Sequence, residues 1–171
     1  MQKLKSKIRN IPDFPKKGVI FRDITTLLKD REAFKESVDL MANLIKDKEV
    51  DTILGIESRG FLFAAPIAYK LGLGINLIRK PGKLPAETIS ESYTLEYGHN
   101  TIEIHKDAIK KGDKVVICDD LLATGGTARV SANLVKRLGG DVISIIFLIE
   151  LTELKGREKL KGYPVKSVIK Y

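Results

Sequence analysis

The segment Val115-Val116-Ile117-Cys118-Asp119-Asp120-Leu121-Leu122-Ala123-Thr124-Gly125-Gly126-Thr127 constrains the fold more than any other stretch of the chain. An apolar run stops abruptly at two adjacent carboxylates, a loop of small residues follows, and helical spacing begins at Gly126. Strand, glycine-bearing loop and helix in that order are the opening of a βαβ unit. Gly125 and Gly126 let the backbone turn sharply and approach a ligand. Successive N–H groups at a helix N-terminus make a nest for an anion. Thr124 and Thr127 add hydroxyl donors.

Asp119 and Asp120 would repel a bare phosphate. They fit a ligand whose hydroxyls lie close to its phosphate. Ribose 5′-phosphate has that layout, with the phosphate in the nest of Ala123, Thr124, Gly125, Gly126 and Thr127 and two hydroxyls donating to the carboxylates. An acidic pair alone reads more simply as a cap for the next helix, but that leaves Thr-Gly-Gly-Thr unexplained. Other phosphate motifs fail. Gly55 to Gly60 has G-x-x-x-x-G spacing, yet Phe61 stands where a Walker lysine is needed, and no G-x-G-x-x-G follows a strand.

The rest of the chain fits the same architecture. Asp30 is placed to cap a helix over 31–48, with Phe34, Val38, Met41, Leu44 and Ile45 on one face. Strands are predicted at 52–56, 75–79, 114–118, 142–148 and 165–169, with helices at 60–71, closed by Gly72, and at 126–138, stopped by Gly139-Gly140. The strands are apolar on both faces, which predicts an α/β fold: a mostly parallel twisted sheet flanked by helices. Ligands in such sheets bind beyond the carboxyl ends of strands, so chemistry is expected after residues 55, 79 and 118. Residues 80–104 are broken by Pro81, Gly82, Pro85 and Gly98 and read as a long excursion with short strands near 93–95 and 101–104. At 171 residues the chain reads as a single domain, 1–171, with an N-terminal region at 1–30.

Composition narrows the function. Cys118 is the only cysteine, and with two histidines no structural Cys/His zinc site can be built. No apolar stretch follows the basic N-terminus, and the longest apolar run, 142–149, is far short of a membrane span, so a cytoplasmic protein without membrane association is expected. The net charge of +8 comes from scattered lysines and arginines rather than one basic arm. That pattern fits a solvated surface and a polyphosphate substrate better than nucleic-acid binding.

The 115–127 segment resembles the phosphoribosyl pyrophosphate (PRPP) signature of the type I phosphoribosyltransferases, and the likeness extends over nearly the whole chain to the adenine phosphoribosyltransferases. Ile11-Pro12-Asp13-Phe14-Pro15 and Gly18-Val19-Ile20-Phe21-Arg22-Asp23-Ile24 resemble that family's adenine hood. Glu57-Ser58-Arg59-Gly60-Phe61 resembles its pyrophosphate loop. Ile78-Arg79-Lys80, Gly82-Lys83-Leu84-Pro85 and Leu95-Glu96-Tyr97-Gly98 resemble its flexible catalytic loop, and residues 151–160 its C-terminal segment. Two departures are small: Cys118 replaces an aliphatic residue, and Glu57 stands where Asp is common.

The resemblance implies transfer of the phosphoribosyl group of PRPP to adenine, giving AMP and pyrophosphate, in a homodimer, with Mg²⁺ carried on the pyrophosphate of PRPP rather than by a side-chain metal site. It implies oxocarbenium character at the ribose, which a carboxylate can stabilise. Arg59 is expected on pyrophosphate through its forked donors. Arg79 and Lys83 are expected to meet leaving-group charge, in one reading across the dimer interface. Glu96 is expected to close over the site, either accepting a proton from adenine or steadying ribose charge. Phe21 is expected to stack on adenine, flanked by backbone groups of Val19, Ile20 and Arg22. Competing readings are a phosphoribosyltransferase for another purine and a PRPP-binding regulator; a receiver-type acceptor domain would carry its acid pair early in the chain, not late.

Overall fold

The structure is a computed structural model and describes residues 2–94 and 99–171. In chain order its elements are α1 (Gln2–Lys5), β1 (Arg9–Pro12), β2 (Ile20–Asp23), α2 (Thr25–Lys29), α3 (Arg31–Asn43), β3 (Thr52–Ile56), α4 (Phe61–Leu71), β4 (Gly74–Ile78), β5 (Thr88–Thr94), β6 (His99–His105), β7 (Lys114–Leu122), α5 (Gly126–Arg137), β8 (Asp141–Glu150), a 3-10 turn (Thr152–Leu154), α6 (Gly156–Lys159) and β9 (Val165–Lys170). Five strands form the central sheet in the order β4-β3-β7-β8-β9, and every neighbouring pair is parallel.

The period of two along the strands divides the core into two layers. On one face Ile53, Val116, Cys118 and Ile146 pack with α3 and α4 residues such as Met41 and Phe63. On the other, Leu54, Ile117, Ile145 and Phe147 pack with Ala132, Leu134 and Val135 of α5. Both faces are covered, which is why the strands lack a polar alternation. Asp30 caps α3 by accepting from the Ala33 N–H at 3.0 Å, as expected. The helix ends at Asn43 rather than 48. Leu44 and Ile45 turn on three-residue hydrogen bonds to Met41 and Ala42 and still face the core. Gly72 closes α4 at φ +67°.

The excursion after β4 is more regular than the sequence suggests. Strands β5 and β6 pair antiparallel over seven residues each, from Thr88↔His105 to Thr94↔His99. A charged residue, Glu91, interrupts the apolar alternation Ile89-x-Glu91-x-Tyr93 and hides the strand. Its carboxylate accepts from Asn133 Nδ2 at 2.7 Å and pairs with Arg137 at 3.5 Å, both on α5. The ribbon joins the end of β4 by reciprocal backbone bonds between Arg79 and Glu103 at 3.0 and 2.8 Å.

Candidate active site

Chain order reverses between β3 and β7, because β4 follows β3 on one side while β7 and β8 extend the sheet on the other. Crevices open at the carboxyl ends of such a strand pair. Pairing of β7 with β3 stops at Cys118, while pairing with β8 continues through Leu122. The strand therefore does not end at Cys118, as its sequence suggested. It carries Asp119 and Asp120 forward with one edge free, and that free edge is the crevice wall. A cleft of about 430 Å³ lies there, lined by Glu57, Ser58, Arg59, Lys80, Asp119, Asp120 and Thr127 among others. It runs into a cup of about 70 Å³ formed by residues 121–128. A depression of about 500 Å³ near Lys7, Arg9 and Lys29 shares no lining residue with this cleft, and its Lys7 and Arg9 are ion-paired with Asp30 and Asp23.

The cup is held open by close backbone packing. Gly125 has φ +79°, and a Cβ on it would fall 2.4 Å from the Gly156 carbonyl. A Cβ on Gly156 would fall 2.2 Å from the Ala123 carbonyl. The residues that resemble the family's C-terminal segment thus form the floor of the loop. No side chain caps the N-terminus of α5 at Gly125. Its first-turn N–H groups are left for an anion.

The two carboxylates are tuned by burial. Asp119 is pushed well above the ordinary carboxylate range, first by burial and then by the Asp120 charge. Burial raises Asp120 as well, with Arg59 pulling against it. The Asp119 Oδ1 accepts the Asp120 N–H at 2.8 Å. Arg59 Nε lies 3.0 Å from Asp120 Oδ2, but this oxygen has no partner in hydrogen-bond geometry.

The 57–60 loop reaches back over β7. The Glu57–Ser58 peptide is cis. A Cβ on Gly60 would meet the carbonyls of Ile56 and Cys118 at 2.6 and 2.8 Å, so only glycine lets the loop close on the strand. Glu57 accepts from the Lys80 N–H at 2.9 Å and from Arg79 Nε at 3.2 Å, and these bonds hold its carboxyl below the usual range. Arg59 stands between the cleft and the N-terminal ribbon, with its guanidinium carbon 5.4 Å from the Phe21 ring centroid.

That ribbon pairs β1 with β2, Ile11 opposite Phe21. Phe14 meets Phe21 edge-on at 5.2 Å, and Ile20 is half exposed. Arg22 turns the other way, bonding Asn10 at 2.5 Å and stacking 3.9 Å over Tyr171. The backbone of Val19 is used within the ribbon's own turn, accepting from Phe14 and donating to Lys16.

The fold therefore gathers Arg59, Asp119, Asp120, Ala123, Thr124, Gly125, Gly126 and Thr127 about one cleft, and Arg59, which lines it, also lies 5.4 Å from the Phe21 ring. It does not bring Arg79 or Lys83 there within one chain: Arg79 pairs with Glu57 and donates to the Lys83 carbonyl at 3.2 Å. Glu96, with Leu95, Tyr97 and Gly98, lies outside the described residues. Sequence reasoning passed over Lys80, which lines the cleft one residue beyond a strand end already marked for chemistry, and Tyr93, whose hydroxyl meets Thr127 Oγ1 at 2.6 Å.

The phosphoribosyl transferase domain family model matches residues 23–170. The adenine phosphoribosyltransferase of Alkaliphilus metalliredigens is 60% identical over 98% of this chain and 99% of its own. The crystal structure of the enzyme of that name from Thermoanaerobacter pseudethanolicus is 58% identical and superposes with a TM-score of 0.97 over 99% of both chains. The Saccharomyces cerevisiae enzyme, solved with an imino-altritol bisphosphate and adenine, is 38% identical with a TM-score of 0.92 over 98% of this chain and 97% of that one. Likeness at this level over the hood, the cleft loops and the C-terminal floor alike places the chain in the adenine phosphoribosyltransferase family.

Proposed function

We propose that this protein transfers the 5-phosphoribosyl group of PRPP to adenine, forming AMP and pyrophosphate. The observation that carries the reading is the continuity of an anion cup and a buried carboxylate pair in one cleft, with Arg59 of that cleft next to the Phe21 ring. The cup of Ala123, Thr124, Gly125, Gly126 and Thr127 takes the 5′-phosphate on N–H groups and hydroxyls. Asp119 and Asp120, which line the cleft, accept from the ribose hydroxyls. As pyrophosphate leaves, positive charge grows on the ribose, and these carboxylates below it are favourably placed to stabilise that charge.

Phe21 stacks on the base, and Arg59 links the base, the Asp120 carboxylate and the departing pyrophosphate from its place between Phe21 and Asp120. Backbone groups at Ile20 and Arg22 read the base edge. A carbonyl there accepts from an amino group and is left unpaired by a keto oxygen, which favours adenine over hypoxanthine. Lys80 meets pyrophosphate charge from within the chain. Mg²⁺ enters with PRPP as part of the substrate, held chiefly by phosphate oxygens. Glu96 assists at the transition state.

Arg79 and Lys83 act from a second copy of the chain. The exposed apolar residues Leu62 and Tyr69 of α4 and Ile75 and Leu77 of the edge strand β4 supply a face for that homodimer. A charged substrate that does not cross bilayers and a single free, buried Cys118 support a cytoplasmic setting. Among the described residues, no helix is long and apolar enough to cross a membrane.

The test is incubation of purified protein with PRPP and Mg²⁺ and, separately, adenine, hypoxanthine, guanine or xanthine, with nucleotide measured by chromatography. AMP from adenine alone is expected. Nucleotide from another base would overturn the hood assignment, and no nucleotide from any base would overturn the enzymatic reading.

A further inference from the structure

The β5–β6 ribbon packs along α5, whose first turn borders the anion cup. Polar contacts at three places along α5 hold that packing, beside the Arg137–Glu91 ion pair. Arg137 donates to the Ser90 carbonyl at 2.9 Å, Asn133 donates to Glu91 at 2.7 Å, and Tyr93 meets Thr127 hydroxyl to hydroxyl at 2.6 Å. The first two grip the C-terminal half of α5, away from any ligand. The third reaches the cup itself. The Tyr93 ring also lies against Gly126, where a Cβ would stand 3.1 Å from it.

We propose that Tyr93 is a positioning residue for the substrate phosphate: its hydroxyl fixes the Thr127 hydroxyl so that the Thr127 proton points into the cup, and phosphate in the cup in turn favours the packing of the β5–β6 ribbon on α5. This rests on the cup being the 5′-phosphate site. A threonine hydroxyl has one proton and two lone pairs. Without phosphate, either oxygen of the pair can donate. With a dianion in the cup, Thr127 gives its proton to phosphate and must accept from Tyr93. The chain Tyr93 O–H to Thr127 O–H to phosphate then runs in one direction, and each bond polarises the next. Because Tyr93 belongs to the ribbon and Thr127 to the cup, occupancy of one favours the seated position of the other.

The experiment compares Tyr93→Phe, Thr127→Val, the double variant, and Tyr93→Phe with Thr127→Ser, by steady-state kinetics with each substrate varied in turn. Phenylalanine keeps the ring on Gly126 and removes only the hydroxyl. The Tyr93→Phe variant is expected to raise KM for PRPP roughly 3- to 10-fold, the size of one net hydrogen bond, with KM for adenine at saturating PRPP unchanged. In the Thr127→Val background Tyr93→Phe is expected to add nothing, while Thr127→Ser restores its effect. Equal rises in both KM values, additive effects of the two single variants, or a Tyr93→Phe variant like wild type would each overturn the proposal. Wild-type protein that makes no AMP would instead sink the reading beneath it and the proposal with it.

Discussion

Gly156 opens α6 directly beneath the phosphate loop, and replacing it with alanine tests whether that floor shapes the cup. The added Cβ would stand 2.2 Å from the Ala123 carbonyl oxygen and 2.8 Å from Leu122 Cδ1. Gly156 is not among the residues of positive φ, so the cost is steric rather than conformational. Carbon and carbonyl oxygen rest at roughly 3.3 Å, so one side must move by about 1 Å. The α6 side is pinned, because Arg157 donates to both oxygens of Glu150 at 2.6 and 2.7 Å and to the Val165 carbonyl at 2.7 Å. The cup side faces open cleft, so the loop yields. Overpacking of this kind costs about 1–3 kcal/mol, and a 1 Å shift of positioned groups costs on the order of 100-fold in function. KM for PRPP should therefore rise by about 10- to 100-fold, with a modest loss of unfolding free energy in a parallel urea titration. Gly74→Ala is the control, since its Cβ would meet only Thr52 Oγ1 at 3.9 Å. A Gly156→Ala protein with wild-type KM for PRPP and wild-type stability would refute the floor argument.

Arg157→Met removes the main partner of buried Glu150, and because Arg157 itself is about 40% exposed and Ser167 still donates to Glu150, the cost at neutral pH should be about 1–3 kcal/mol. Arg157 is the main group holding the Glu150 carboxyl low, so this stabilisation is present above the ordinary carboxylate range and is lost as pH falls through the folded value. The penalty should shrink toward acidic pH in denaturation series, and a penalty independent of pH would contradict the pairing. Phe21→Ala should weaken adenine by about 1–3 kcal/mol in KM while leaving KM for PRPP nearly intact; equal weakening of both substrates would count against stacking. Glu96→Gln should lower kcat with little change in PRPP binding, and comparable losses in both would argue against a transition-state role.

The sequence alone determined the elements whose signals are local. The run 115–127 marked strand, acid pair, anion nest and helix, because glycine, threonine and aspartate each have a distinct backbone chemistry there. Asp30 and Gly72 marked helix ends for the same reason. The apolar β3, β7 and β8 announced a sheet covered on both faces. Tertiary structure decided what depends on partners distant in the chain. The sequence marked only a short strand near 93–95, and the strand from Thr88 to Thr94 depends on α5, whose Asn133 and Arg137 partner the Glu91 within it. The extent of β7 rested on β8, which pairs with it four residues beyond the last contact with β3. Arg59 belonged by sequence to a pyrophosphate loop, and the fold set it between Phe21 and Asp120. Gly156 carried no sign of its role, because the need for a missing side chain comes from a carbonyl more than thirty residues away. Local backbone preference is written residue by residue, whereas close approach and charge pairing exist only once the chain has brought separate segments together.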